Sequence, residues 1–198
     1  MTQHRPIEGI SAVLLPFGAD GSSDTGAFLD LVQRTKDAGL KPALNMDTGY
    51  ANLLSPDQRS EFLGLVAKEA GEGFVAGAFV EDRPGDLLHV CRETFAEIVE
   101  HGGTPILFPC TRLKAMSDQE VLDLHVALGR EFDQFLIFEL GEMFVPFGRI
   151  YPLSLVRELM QIPSVAGMKH SSLRRGPEWE RLKLRDEVRP ELKVFTGN

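Results

Sequence analysis

Residues Pro163–Leu173 read PSVAGMKHSSL, a short apolar run (Val165, Ala166, Met168) that ends in Lys169, His170 and two serines. A run of this length, with proline before it and hydroxyl residues after it, reads as a buried strand. Lys169 then stands at the carboxyl end of that strand. Where both faces of a sheet are covered, strand ends open on a crevice, and a lysine there is partly desolvated with its amine aimed at the pocket. Desolvation favours the neutral, nucleophilic amine. The other reading of the stretch alone is a solvated lysine that simply follows a strand.

Outward from this strand the chain alternates regularly. Ile10–Leu15 (ISAVLL) is a strand closed by Pro16 and a Gly18–Gly21 turn, and Phe28, Leu31, Val32, Thr35 and Ala38 follow at helical spacing with Gly39 as the stop. Ala43–Met46 is a second strand that leads into Asp47, Thr48 and Gly49. Ser55, Pro56 and Gln58 supply an N-cap, a proline at the first helical position and a capping-box partner ahead of Phe62, Leu63 and Val66. Phe74–Val80 (FVAGAFV) is a third strand, and the helical stripe Leu87, Leu88, Cys91, Phe95, Ile98 and Val99 ends at Gly102 and Gly103. Ile106–Phe108, stopped by Pro109, is the fourth, and a second capping box, Ser117 with Glu120, opens the helix of Val121, Leu124 and Leu128. Phe135–Leu140 (FLIFEL) is the fifth. A loop rich in glycine and proline and a helix with Leu155, Val156, Leu159 and Met160 lead to the sixth strand, Pro163–Lys169. Residues 177–188 form a weaker helix, and Leu192–Phe195 opens a seventh strand.

Short wholly apolar strands alternating with amphipathic helices specify a parallel sheet covered by helices. A doubly wound open sheet and a closed barrel of eight strand–helix units over about 250 residues both satisfy the pattern. Six units and a seventh strand occupy these 198 residues. A parallel strand at the end of a domain leaves an unpaired edge. The expectation is therefore a TIM (β/α)8 barrel, one domain over 1–198, truncated or incomplete after the seventh strand and lacking its last units.

A net charge of −8 speaks against nucleic acid or an anionic membrane surface as partner, since both need a basic face. Cys91 and Cys110 have neither the number nor the spacing of a disulfide framework, which points to a reducing cytoplasm. The start, MTQHRPIEG, carries no apolar core of signal-peptide length, and no apolar run approaches ~18 residues. His89 and Cys91 lie two apart in a helical pattern and do not share a face, and neither HExxH nor a paired CxxC is present, so no metal site is expected.

Read together, AVLLPF with Gly21, DTGY followed by LLSPDQR, FVAGAFV, AGMKHSS and the closing FTGN resemble the dihydrodipicolinate synthase and N-acetylneuraminate lyase family of Schiff-base aldolases. The resemblance runs from about Gly9 to the last residue. It implies that Lys169 condenses with the ketone of pyruvate or another 2-oxo acid, and that the protonated imine acts as an electron sink for proton loss or carbon–carbon cleavage. It further implies that Thr48 and Gly49, the second half of a glycine–threonine loop, hold the substrate carboxylate. No cofactor is implied. The expected partner is a small 2-oxo acid and the expected assembly a homo-oligomer, dimer or tetramer.

Several positions depart from the family. Met46 and Asp47 stand where the loop has a glycine and a first threonine, and Tyr50 stands where it has glutamate. The tyrosine that carries the proton to the imine aligns with Phe138, which has no proton to give, and the tyrosine after strand four aligns near Cys110 and Thr111. Glu139, Glu142 and Tyr50 are the candidate replacements, since a carboxyl against an apolar wall can serve as general acid or base. Strand alternation weighs against Glu139, because if Phe138 points in, its neighbour points out. Arg149, in FGRIY, lies near the place of a family arginine that holds a second carboxylate. His125 and His170 read as structural, and Arg174 and Arg175 as solvent-facing.

The expected site is thus Lys169 as imine-forming residue, with Asp47, Thr48, Gly49, Tyr50, Phe138, Glu139 and Arg149 lining it. The expected activity is aldol cleavage or condensation, or dehydration. The competing expectation is a non-catalytic metabolite-binding barrel that has lost its proton relay.

Overall fold

A computed structural model describes residues 7–196; MTQHRP at the start, and Gly197 and Asn198 of the FTGN stretch, lie outside the described residues. The strands are β1 (Ile10–Ala12), β2 (Lys41–Leu44), β3 (Val75–Ala78), β4 (Thr104–Leu107), β5 (Phe135–Leu140), β6 (Val165–Ser171) and β7 (Lys193–Thr196). The α-helices are α1 (Thr25–Asp37), α2 (Pro56–Ala70), α3 (Leu87–Glu100), α4 (Thr111–Ala115), α5 (Asp118–Gly129), α6 (Leu153–Met160) and α7 (Arg175–Val188). The strands hydrogen-bond in chain order, β1 to β7, and the pairs β1–β2, β2–β3, β4–β5, β5–β6 and β6–β7 are parallel. This is the strand and helix order of a TIM (β/α)8 barrel through its seventh strand. Among the described residues no helix is long and apolar enough to cross a membrane.

The chain groups into two compact units, one running to Gly77 and including Glu97–Thr104, the other made of Ala78–Ala96 and the residues from Pro105 on. In the first, α1 and α2 meet through Phe28 and Phe62, whose rings stand edge to face at 5.1 Å. The α2 start forms as its sequence specifies. The Ser55 hydroxyl accepts from the Gln58 backbone N–H, and the Gln58 side chain accepts from the Ser55 N–H, so two donors that a helix start leaves open are satisfied. Lys36 reaches across to the end of α2 and donates to the carbonyls of Ala70, Gly71 and Glu72. A cation there complements the negative end of the helix.

In the second unit, Phe95 of α3 packs on Phe135 of β5 at 5.5 Å and on Phe132 at 5.3 Å. The long pairing of β5 with β6 runs from Phe135↔Val165 to Leu140↔Ser171 and includes Phe138↔Lys169 and Glu139↔His170. Gly167 admits β7 at close range: a Cβ on this residue would stand 2.7 Å from the Lys193 carbonyl oxygen and 3.0 Å from the Phe195 ring. The glycine of AGMKHSS is therefore a packing requirement of the sheet.

Strand ends differ from the sequence reading in ways that the neighbours explain. β1 stops at Ala12, although Val13 N–H still donates to the Ala43 carbonyl. β6 runs two residues past Lys169, because Leu140 and Ser171 remain paired and Gly141 N–H donates to the Ser171 carbonyl. The short helix α4 and a 3-10 turn at Asp47–Gly49 are additions that apolar periodicity does not register, being only five and three residues long.

His125 on α5 is 1% exposed, with Nδ1–H donating to the Val121 carbonyl at 2.7 Å and the ring 6.2 Å from that of Phe135. Burial withholds water from the imidazolium and pushes its pKa down from 6.5 to about 4. The native state thus favours the neutral ring. The stabilisation is fully present above pH 6.5 and is lost as the pH falls toward 4, on the order of 3 kcal/mol in all. Urea unfolding at pH 7 and pH 4.5 is expected to show that loss in the wild type and to show it reduced in His125→Leu.

Candidate active site

Lys169 is on β6 with Phe138 as its register partner on β5 and Phe195 as its partner on β7. Register partners in a parallel pair share a face, so these three side chains lie on one side of the sheet. The Lys169 Nζ stands 4.1 Å from the centre of the Phe138 ring, and the residue as a whole is only partly exposed. Behind that ring, Phe108 at the end of β4 packs edge-on at 5.2 Å, and Phe79 at the end of β3 packs on Phe108 at 5.7 Å. The amine thus sits at the end of a row of buried aromatic rings. Such a wall excludes water, and its π faces attract a cationic nitrogen.

The next residues along, Glu139 and His170, alternate to the opposite face and meet α7. Glu139 has no exposure, and its carboxylate accepts from Arg181 through Nε and Nη2 (both 2.8 Å), from His170 Nδ1 (2.8 Å) and from the Tyr151 backbone N–H (2.8 Å). Burial by itself would raise the Glu139 pKa. The hydrogen bonds from Arg181 and His170 outweigh it and hold the carboxyl below its ordinary value. An ionised carboxylate only accepts, so His170 carries its proton on Nδ1, and Nε2 faces the Ser172 hydroxyl at 2.9 Å. Arg181 also donates to the Tyr151 carbonyl at 2.6 Å. The expectation that Glu139 lines the substrate pocket gives way to this placement: its oxygens are engaged on the helix side of the sheet, away from Lys169.

Other expected residues of this unit are drawn into loop contacts. Arg149 donates to the Met116 carbonyl at 2.6 Å, pairs with Asp118 and lies over the Tyr151 ring, so it fastens the β5–α6 loop to the start of α5. Glu142 is 70% exposed and paired with Lys114 at 2.7 Å. Cys110 caps α4 through its sulfur, and burial pushes its thiol pKa up.

One pair escaped the sequence reading. Thr111 donates to the Glu81 carboxylate through both its backbone N–H (2.6 Å) and its hydroxyl (2.5 Å), joining the chain after β3 to the chain after β4. Arg112 braces the same loop by donating to the carbonyls of Val80, Arg83 and Gly85. The available signal was the run PCTR directly after the fourth strand, where a threonine at a helix start offers both donors together.

The loop Asp47–Tyr50 belongs to the first unit. Asp47 and Thr48 are exposed, and the N–H groups of Gly49 and Tyr50 are used inside the turn, donating to the Met46 and Asp47 carbonyls. The Asp47 carboxylate and the Thr48 hydroxyl are then the polar side-chain groups that the turn presents outward. Tyr50 adopts a left-handed backbone (φ 59°), is 42% exposed and stacks edge-on against Phe17 at 5.6 Å.

No family model matches the chain, and no curated protein matches it. Solved structures do. The fold is that of the dihydrodipicolinate synthase and N-acetylneuraminate lyase structures. A prophage protein of the dihydrodipicolinic acid synthase family from E. coli K12, in complex with pyruvate, superposes with a TM-score of 0.80 at 13% identity, covering 96% of this chain and 63% of that one. The 2-keto 3-deoxygluconate aldolase from Picrophilus torridus gives 0.77 at 20% identity, over 96% and 67%, and N-acetylneuraminate lyase from Mycoplasma synoviae gives 0.70 at 19%, over 96% and 62%. The chain spans about two thirds of the length of these structures.

Gly49 is buried, and a Cβ placed on it would stand 3.1 Å from the Val13 carbonyl oxygen of the neighbouring strand end. Gly49→Ala is expected to lower stability by about 1–3 kcal/mol in urea unfolding, since a backbone carbonyl has little room to yield.

Proposed function

We propose that this chain forms an imine between Lys169 and the ketone of a 2-oxo acid and uses it to make or break a carbon–carbon or carbon–oxygen bond. The observation that carries the reading is the position of the Lys169 nitrogen, over the Phe138 ring and on the sheet face that the Glu139 network leaves alone. The shared fold supports it, and one protein with that fold was solved with pyruvate bound.

In this reading the neutral amine attacks C2 of the substrate, the departing oxygen takes up a proton and water leaves, giving an iminium. The iminium takes up the electron pair when a bond at C3 breaks, and the enamine that results is protonated at C3 and hydrolysed, or expels a hydroxyl from the next carbon along. The Phe138 face holds the nitrogen while it is cationic, before and after condensation. It transfers no proton. The Thr111 hydroxyl, held on the Glu81 carboxylate, is the candidate proton carrier of this half of the chain.

A second reading has an observation of its own. A phenyl face also favours a resting ammonium, and with phenylalanine in the tyrosine's place the chain would bind a metabolite without turning it over.

Treatment with pyruvate and borohydride, read by peptide mass spectrometry, is expected to leave a reduced pyruvyl adduct on Lys169 and on no other residue. Lys169→Ala is expected to give none. No adduct from a panel of 2-oxo acids would decide for the binding reading. Thr111→Val is expected to keep the adduct while lowering turnover about a hundredfold or more.

A further inference from the structure

We infer that Glu139, His170 and Arg181 form a positioning device for Lys169. The inference rests on the imine reading and assigns these residues a part in it without substrate contact. Lys169 and His170 are consecutive on β6, and their register partners Phe138 and Glu139 are consecutive on β5. The amine's seat over Phe138 and the His170–Glu139 bond are therefore two faces of the same two-residue step of the ladder. A slip of β6 against β5 cannot break one and spare the other.

The helix side of that step is fixed in three directions. Nδ1 of His170 ties β6 to β5 through Glu139, the two Arg181 nitrogens tie β5 to α7, and the Tyr151 N–H ties the loop before α6 to the same carboxylate. All three side chains are buried, with Glu139 and His170 at zero exposure and Arg181 at 2%. An ionised group at such depth is held only where its partners are in place, so the network tolerates little displacement. A nucleophile needs its reacting atom held to within a fraction of an ångström, and a shift of about 1 Å is enough to cost on the order of a hundredfold in rate.

The test compares His170→Ala with His170→Asn. The asparagine amide places an N–H where Nδ1–H stands and keeps the bond to Glu139; alanine removes it. Two rates are read for each protein: borohydride trapping of Lys169 at saturating pyruvate, and acylation of Lys169 by acetic anhydride, which needs no imine. Melting curves and circular dichroism establish that each variant is folded. His170→Ala is expected to slow trapping about ten- to a hundredfold with the half-saturating pyruvate concentration unchanged, to alter the acylation rate of Lys169, and to recover most of both in His170→Asn.

If His170→Ala does not fold, the double variant Glu139→Met with Arg181→Met removes the ion pair as a unit, and replacements of that kind commonly keep the fold. It should slow Lys169 in the same way. Wild-type rates in His170→Ala or in the double variant, or equal loss in His170→Ala and His170→Asn, would overturn the inference. A wild-type protein that pyruvate never traps overturns the imine reading instead, and the acylation rates still decide whether the network positions the amine.

Discussion

A carboxylate without any contact with water has to be matched group by group, and Glu139 is matched by four donor groups from α7, β6 and the loop before α6. Removing a single partner would strand a charge in a medium that cannot solvate it, a loss of about 3–5 kcal/mol in comparable buried pairs. That constraint leaves the middle of the second unit little room to adjust. Sheet, helix and loop share one carboxylate there, and the lysine proposed as reactive is the residue next to one of its partners.

The same geometry separates two functions that lie side by side in the sequence. Phe138 and Glu139 are neighbours, as are Lys169 and His170, yet a strand turns successive side chains to opposite faces. One face receives the apolar rings and the amine. The other receives the charges that hold helix and sheet together. Away from that step, at the ends of β3 and β4, Glu81 and Thr111 meet.

Much of the architecture was legible without coordinates. The apolar runs ISAVLL, FVAGAFV and FLIFEL, each followed by a helical stripe, define strand, helix and order; the Ser55 and Ser117 capping boxes form as the residues specify. Boundaries were less legible, because where β1 stops and β6 continues depends on hydrogen bonds to the neighbouring strand. Within the site, the alternation argument against Glu139 was available from FLIFEL alone. Its partner was not: Arg181 lies 42 residues away on a helix with a weak apolar pattern. The sequence makes Arg149 a pocket candidate and Glu142 a candidate proton carrier, and the structure places both in loop contacts, with Asp118 and Lys114. Thr111 stands out only by resemblance, and its bonds to Glu81 were not legible because a helix of five residues carries no periodic signal.

By itself the sequence determined a parallel strand–helix repeat and a lysine in the sixth strand. These follow from local pattern, since the side-chain period of a strand or helix is written in consecutive residues. Only the tertiary structure decided that Phe138 lies under the amine, that Glu139 is an anchor facing the helices, and that Thr111 rests on Glu81. Those pairings join residues 30 to 42 positions apart, and which distant groups meet is set by strand register and helix packing, neither of which a local pattern records.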